Sequence, residues 1–493
     1  MKALLVYPKC PPTFWEFGGA LPFVRKEAAF PPLGIFTIAP MFPETWEIKL
    51  VDINIEPLAD ELIQWADVVF VSAMLIQLQN VNEVIKRCKD FRKIVVGGGP
   101  AFTTAPEKFP GVDHILRGEA ENVLPTLLSD LEAGNALPSY ACKKFPDLRE
   151  TPLPALHLME MENYATMSIQ FCRGCPFKCE FCDVRKIFGG KVRTKTPAQM
   201  IAELQVIYER GWRGSVFIVD DNFIGNKAAA KKFLHVLIAW QKARNYPFKF
   251  FSQVSINLAN DEKLLQLMSE ANFHQVFIGI ETPSIEALRA CGKHQNLASD
   301  LAESVRTIQQ HGMKVMGGFI VGFDSDTPDI FEAMIDFIEI TGIVIAMVGP
   351  MIALPETDLD IRLKKEGRID HEYEKWDNTF GDTNIVPKKM RKEDLLQGYR
   401  YLIKELYSPE NYYGRIHTQF QTYQRTAKGT ISERDTKAFL RSLWEIGVLS
   451  KQRWLYWKLL AKTALTKPSL FSEAVTQSIF GEHFISFAER IAK

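Results

Sequence analysis

This sequence predicts an α/β chain in three parts: a doubly wound parallel sheet, a partial (β/α)6 barrel and a helical C-terminal region. Three observations predict it. Short apolar runs alternate with helical patterns over residues 1–140. A second alternating series, with six strand–helix units, fills 166–365. From 366 the strand signals fade, and long helical segments rich in Lys, Glu, Tyr and Trp run to 493. Such alternation builds parallel sheets covered by helices, and 493 residues at ~150 per domain leave room for about three domains.

In the first region the strands are expected at 3–7, 48–52, 68–72, 94–97 and 114–116, with helices at 56–65 and 80–92. Doubly wound sheets bind ligands beyond the carboxyl ends of their strands, where the strand order reverses. The segments there are 7–12, 52–56, 72–77 and 97–101, which include Ser72, Gly97, Gly98 and Gly99. A proline-rich stretch with weak periodicity, 141–165, reads as a linker. The barrel strands follow at 168–171, 215–220, 248–252, 275–280, 314–321 and 343–348, with helices at 197–210, 227–244, 261–271 and 299–311. Barrel chemistry belongs at the strand C-termini.

Lys and Arg total 59 and Asp and Glu 59, so no basic excess favours nucleic acid as a partner. The opening MKALLVYPKCPP holds too short an apolar stretch for a signal-peptide core. No run approaches the ~20 apolar residues of a bilayer span; the nearest, 342–354, is broken by Gly349 and Pro350. A cytoplasmic address is the default expectation. Four of the eight cysteines (Cys172, Cys175, Cys179 and Cys182) crowd into one loop, whereas Cys10, Cys88, Cys142 and Cys291 are scattered. Such clustering points to metal rather than to disulfides.

The loop reads FCRGCPFKCEFCD. Cys175, Cys179 and Cys182 can present three thiolates to one iron–sulfur cubane, leaving a fourth iron open to chelate another molecule. Gly174 and Pro176 suit the tight wrap. On spacing alone, a structural zinc with Cys172 as fourth ligand is the alternative. The C-x-x-x-C-x-x-C pattern, with Phe181 before the last cysteine and a position after the first strand of a six-unit barrel, resembles the radical S-adenosylmethionine (SAM) superfamily.

That resemblance implies a 4Fe-4S cluster on Cys175, Cys179 and Cys182. SAM chelates the open iron and is cleaved by one electron to a 5′-deoxyadenosyl radical. Cys172 is then a neighbour, not a ligand. Asp220, Asp221 and Asn222 end the second barrel strand, where the family holds the SAM amino group; a turn with helix capping by Asn222 is the alternative. Gln253 and Ser255 end the third strand, where ribose and carboxylate contacts are made. FIGIET (277–282) matches the strand that approaches adenine, with Glu281 at its rim or as a buried structural carboxylate. GGFIVGF (317–323) and MIALPETDL (351–359) match the fifth and sixth strands, except that Glu356 stands where many relatives carry glycine.

FPPLGIFTIA (30–39), VDIN (51–54), VGGGPAF (96–102) and RGEAE (117–121) resemble the cobalamin-binding domain found before many such barrels. Gly97, Gly98 and Gly99 would let backbone approach a corrin or its tail; another ligand, or none, is the alternative. Families that ligate cobalt from below use a His after the first strand. Here that loop reads YPKCPPTFWEFGG, and the only His before residue 140 is His114, so no lower imidazole is expected and Cys10 is read as packing. In the C-terminal region, SPENYYGRI (408–416) and RWLYWKLL (453–460) are read as core packing or as a lid; Trp454, Leu455, Trp457 and Leu459 could touch lipid.

The whole arrangement resembles the group containing the hopanoid methylases. It implies C-methylation of an unactivated carbon in a small molecule or lipid, with a second SAM restoring the methyl group and a flavodoxin- or ferredoxin-like electron donor. The alternatives are a non-methylating cobalamin-dependent oxidoreductase or cyclase and a non-catalytic cobalamin- or metal-sensing module. A methylthiotransferase lacks support, because no second cysteine trio is present. No residue is singled out as catalytic.

Overall fold

A computed structural model describes residues 1–492 other than 371, 372, 374, 377, 430 and 431. The first sheet runs β1 (Lys2–Tyr7), β2 (Glu47–Asp52), β3 (Val68–Ser72), β4 (Ile94–Gly98), β5 (His114–Arg117) and β6 (Ser139–Ala141). Its spatial order is β2-β1-β3-β4-β5-β6 and every pairing is parallel. The order reverses between β1 and β3. Among its helices, α1 (Leu78–Asp90) and α2 (Leu124–Glu132) bury one face each.

β6 was not expected. It forms because Tyr140 is buried opposite Leu116 and its hydroxyl donates to Asp130 Oδ2 at 2.6 Å. The stretch after it is no loose tether. Leu148, Leu156, Met159, Met161 and Tyr164 are buried, and Tyr164 Oη donates to Asp52 Oδ2 at 2.9 Å. Its prolines and short 3-10 turns suppressed the periodicity without exposing the chain.

The second sheet holds β7 (Met167–Ile169), β10 (Gly214–Ile218), β11 (Phe248–Gln253), β12 (Phe273–Glu281), β13 (Lys314–Val321) and β14 (Ala346–Pro350) in the order β14-β13-β12-β11-β10-β7, all parallel. A hairpin of β8 (Cys172–Arg173) and β9 (Arg193–Thr194) interrupts the first unit. Helices α3 (Pro197–Glu209), α4 (Lys227–Ala243), α5 (Glu262–Glu270), α6 (Leu301–Gln310) and α7 (Ile330–Thr341) cover the outside. Their starts are capped: Thr196 and Gln199 cap α3 reciprocally with Pro197 in the first turn, and Asp261 and Asp300 cap α5 and α6. Strand alternation sends Val216, Phe250, Val276 and Val315 into the helix-covered core. Phe217, Phe251, Phe277 and Met316 face the lumen.

The C-terminal helices are α8 (Lys392–Leu406), α9 (Pro409–Thr422), α10 (Glu433–Trp444), α11 (Arg453–Thr466) and α12 (Phe471–Ile491). They close the open edge of the barrel: Tyr407 Oη accepts from Ala346 N–H at 3.1 Å and donates to Ala346 O at 2.6 Å, covering an edge strand that would otherwise offer unpaired backbone. α12 also reaches the loop after β1. His483 Nδ1 accepts from Gly19 N–H at 3.2 Å, and its Nε2 lies 3.2 Å from Phe14 O. Among the described residues, no helix is long and apolar enough to cross a membrane.

Candidate cofactor site

The cysteine loop is held by its surroundings. Asp220, at the end of β10, accepts from Phe171 N–H (2.8 Å) and Cys172 N–H (2.9 Å) through one oxygen, pinning the point where the loop leaves the sheet. Gly174 has φ +94°, and a Cβ there would lie 2.9 Å from the Gly189 and Lys191 carbonyls. The next residue, Cys175, donates its N–H to Gly189 O at 3.3 Å. Cys175, Cys179 and Cys182 are partly exposed, whereas Cys172 lies beneath them, fully buried, with its thiol donating to Asn222 O at 3.4 Å.

Among the described residues, no group of three Cys, His, Asp or Glu side chains is gathered as if around one metal ion. In a cubane each thiolate takes its own iron. Burial pushes the Cys175 and Cys182 thiols up, and the nearby ammonium of Lys293 pulls both down.

Lys293 and Gln295, from the segment after β12, complete the rim. Lys293 Nζ donates to Glu281 Oε1 at 2.5 Å, and Gln295 Nε2 lies 3.7 Å from Cys179 Sγ. Sequence reading missed both. The polar run GKHQN (292–296), beyond the short helix Ile285–Ala290 that follows the FIGIET strand, was the signal available.

The strand-end residues divide. Asp220 uses Oδ1 for the backbone, while its Oδ2 and that of Asp221 are buried without partners. Burial raises Asp220 to about 7 and, with Asp183 adding, Asp221 to about 6. Such orphaned oxygens fit an ammonium. Asn222 and Ser255 instead bond each other, Nδ2 to Oγ at 3.2 Å and Ser255 N–H to Oδ1 at 3.3 Å, tying β10 to β11. The Gln253 side chain is partly exposed at the end of β11. Glu281 has φ +67°, a conformation costly for a non-glycine residue, and holds Lys293. Glu356 has φ +64° and pairs with Arg117 at 3.3 Å, which accounts for a carboxylate in a backbone position suited to glycine.

A cavity of about 210 Å³ lies between the two sheets. Ser72, Gly98 and Gly99 line it, with Gly118 and the barrel residues Gln170 and Val219 opposite. Gly97 does not: its missing Cβ would lie 2.5 Å from the Phe102 ring, so it is a packing glycine on the far side of the strand. His114 is turned to Leu137 O at 2.7 Å, away from the cavity. Glu119, in RGEAE, clamps the sheet to the cysteine hairpin: it accepts from Arg173 Nη1 (2.7 Å) and from Arg193 Nη2 (2.5 Å), and Arg173 also meets Glu121 at 2.7 Å. Two glycines at strand ends, facing another domain across a void, fit a flat macrocycle.

A larger cavity of about 520 Å³ fills the barrel lumen. Trp15, Phe30, Phe217, Phe251, Phe277 and Met316 make its walls. Lys249, His274 and the Lys314–Glu473 ion pair make one end. His274 donates from Nδ1 to Phe250 O (3.0 Å) and, with its pKa pushed down to about 3 by burial, stays neutral.

The sequence matches the radical SAM superfamily over residues 169–338, the B12 binding domain over 25–128, and a domain of unknown function, DUF4070, over 357–493. It is 39% identical over 495 residues, spanning 99% of this chain and 92% of the other, to an uncharacterized methyltransferase from Synechocystis sp. (strain ATCC 27184 / PCC 6803 / Kazusa). The chain belongs to the cobalamin-binding radical SAM enzymes. Members of this family work with a [4Fe-4S] cluster, S-adenosylmethionine and cobalamin. Another member, the hopanoid C-2 methylase of Rhodopseudomonas palustris (strain TIE-1), is 35% identical over 93% of this chain and 88% of its own length. The fold is shared with the radical SAM methyltransferase TsrM from Kitasatospora setae (TM-score 0.60, 14% identity, 98% of this chain and 99% of that one). It is shared too with the cobalamin-dependent enzyme OxsB (TM-score 0.63, 14% identity, 99% and 80%).

Proposed function

We propose that the enzyme is a C-methyltransferase acting on an unactivated carbon of an apolar, polycyclic small molecule or lipid of the hopanoid kind. The observation that carries this is two cavities on one strand face. Phe217 lines the lumen, and Val219 lines the cavity between the sheets. Two residues apart, they point the same way about 7 Å from each other. A substrate filling the aromatic lumen therefore ends beside the cobalamin cavity.

When bound, the cluster with SAM supplies hydrogen abstraction and cobalamin supplies the methyl group. This chain's residues bind and orient. Cys175, Cys179 and Cys182 hold the cluster; the free oxygens of Asp220 and Asp221 take the SAM ammonium, and Gln253 and Glu281 flank it. Asn222 and Ser255 position that shelf. Ser72, Gly98 and Gly99 lie against the corrin. Phe217, Phe251 and Phe277 exclude water, while Lys249 and His274 receive a polar end of the substrate. A flavodoxin- or ferredoxin-type donor, a cytoplasmic address and contact with a lipid surface belong to the same proposal.

The test is anaerobic reconstitution with SAM, methylcobalamin, a reductant, labelled methyl and a lipid extract. S-adenosylhomocysteine together with a labelled carbon–methyl product is expected. 5′-Deoxyadenosine without methyl transfer would point to a cyclase or oxidoreductase instead.

A further inference from the structure

We infer that the elbow between α10 and α11 seats the enzyme on an anionic lipid surface. α10 has two faces. Ala438 and Phe439 line the cavity, while Leu440 and Trp444, one turn apart on the opposite side, are each 58% exposed. The same helix is thus the wall between substrate space and the outside. A π-helical turn, Glu445–Leu449, continues the outer stripe through Val448 and Leu449, the latter 59% exposed. α11 adds Trp454, 74% exposed, and Trp457, whose indole N–H donates to Gly447 O at 2.9 Å. That bond ties the two helices together with the Trp457 ring still partly outside. Leu459, expected at such a surface, is instead buried in the helical core.

Charge selects the partner. Between 440 and 467 the sequence carries Arg441, Lys451, Arg453, Lys458, Lys462 and Lys467 against a single acid, Glu445. The whole chain has no net charge, so this is a local basic excess. Among the described residues, the salt bridges involve none of Lys451, Arg453, Lys458 and Lys462. Indole rings interleaved with unpaired cations on one rigid elbow are the chemistry of the headgroup boundary of an anionic bilayer. The mouth of the lumen lies at the other end of the same helix, on the order of 15 Å from the elbow. Gly429, Asp435 and Thr436 line the lumen cavity and are exposed, so the cavity opens at the start of α10.

This deepens the methyl-transfer proposal, on which it rests for an apolar substrate, but binding is read without turnover, so either can fail alone. Full-length reconstituted enzyme is floated with phosphatidylcholine vesicles, with and without phosphatidylglycerol. Binding only to the anionic vesicles, weakened by salt, is expected. Trp444→Glu with Trp454→Glu should lower the partition coefficient at least roughly tenfold, ~1.4 kcal/mol. Lys451→Gln, Lys458→Gln and Lys462→Gln together should weaken binding and flatten its salt dependence. All five side chains are outside the core, and circular dichroism checks that fold is kept. Equal binding to both vesicle types, undiminished binding by the tryptophan variant, or light scattering showing a dimer that this variant dissolves would overturn the inference.

Discussion

Glu119→Gln is the sharpest test of how the two cofactor-bearing halves are joined. The Glu119 side chain is 1% exposed, and its two oxygens are shared by Arg173 and Arg193, themselves nearly buried. Glutamine keeps the volume, removes the charge, and turns one acceptor into a donor facing a guanidinium. A charge pair at ~4 Å is worth about 4 kcal/mol at an effective dielectric of 20, and breaking a buried pair from one side costs ~3–5 kcal/mol net. Arg173 keeps Glu121 at 2.7 Å, whereas Arg193 has no second carboxylate in its salt bridges, so the lower end applies, ~3 kcal/mol. At ~2–4 °C per kcal/mol for a unit of barrel size, calorimetry should show a fall of about 6–12 °C. Arg193→Met added to Glu119→Gln should recover part of it, since the stranded cation is gone. A midpoint within about a degree of wild type, or a double variant that is merely additive, would refute the reasoning.

Other outcomes follow from single side chains. Burial holds the His483 pKa down at about 4, against ~6.5 in the unfolded chain. Its contribution is therefore complete above pH 6.5 and lost on acidification towards pH 4, amounting to about 2 kcal/mol between pH 7 and 5; thermal melts of His483→Gln should lack that component of the acid sensitivity. Glu356→Gly relieves a left-handed backbone at about 1 kcal/mol and forfeits a largely exposed pair worth less than ~1 kcal/mol. Urea titration should thus leave stability within about 1 kcal/mol of wild type, and a larger loss would contradict this balance. Cys172→Ser should retain iron and the cluster's visible absorbance, whereas Cys179→Ser should lose both; loss in Cys172→Ser would instead indicate a four-thiolate metal.

Much of this was legible because the signals were local. The cysteine spacing and the apolar barrel strands each need only near neighbours in sequence. What escaped depends on direction or on distance along the chain. Gly97, Gly98 and Gly99 look alike as letters, but the pleat turns Gly97 towards Phe102 and leaves Gly98 and Gly99 at the cavity. Asn222 and Ser255 are strand-end polar residues as expected, yet they satisfy each other across β10 and β11. Lys293 meets the cysteine loop only after the intervening barrel units have closed. In RWLYWKLL the helical period, not composition, decides that Trp454 faces out and Leu459 in.

The bond between Gly19 and His483 joins the loop that follows the first strand to the final helix, across 464 residues. Phe14 in the same loop stacks on Phe484, with ring centroids 5.9 Å apart. Trp15 packs on Phe277 of the barrel, with ring centroids 4.7 Å apart, and Phe17 packs on Phe480 of α12 at 5.4 Å. The lumen wall that this loop supplies is thus shared between the barrel and α12. A change that loosens α12 should therefore disturb the lumen wall as well as the helical region.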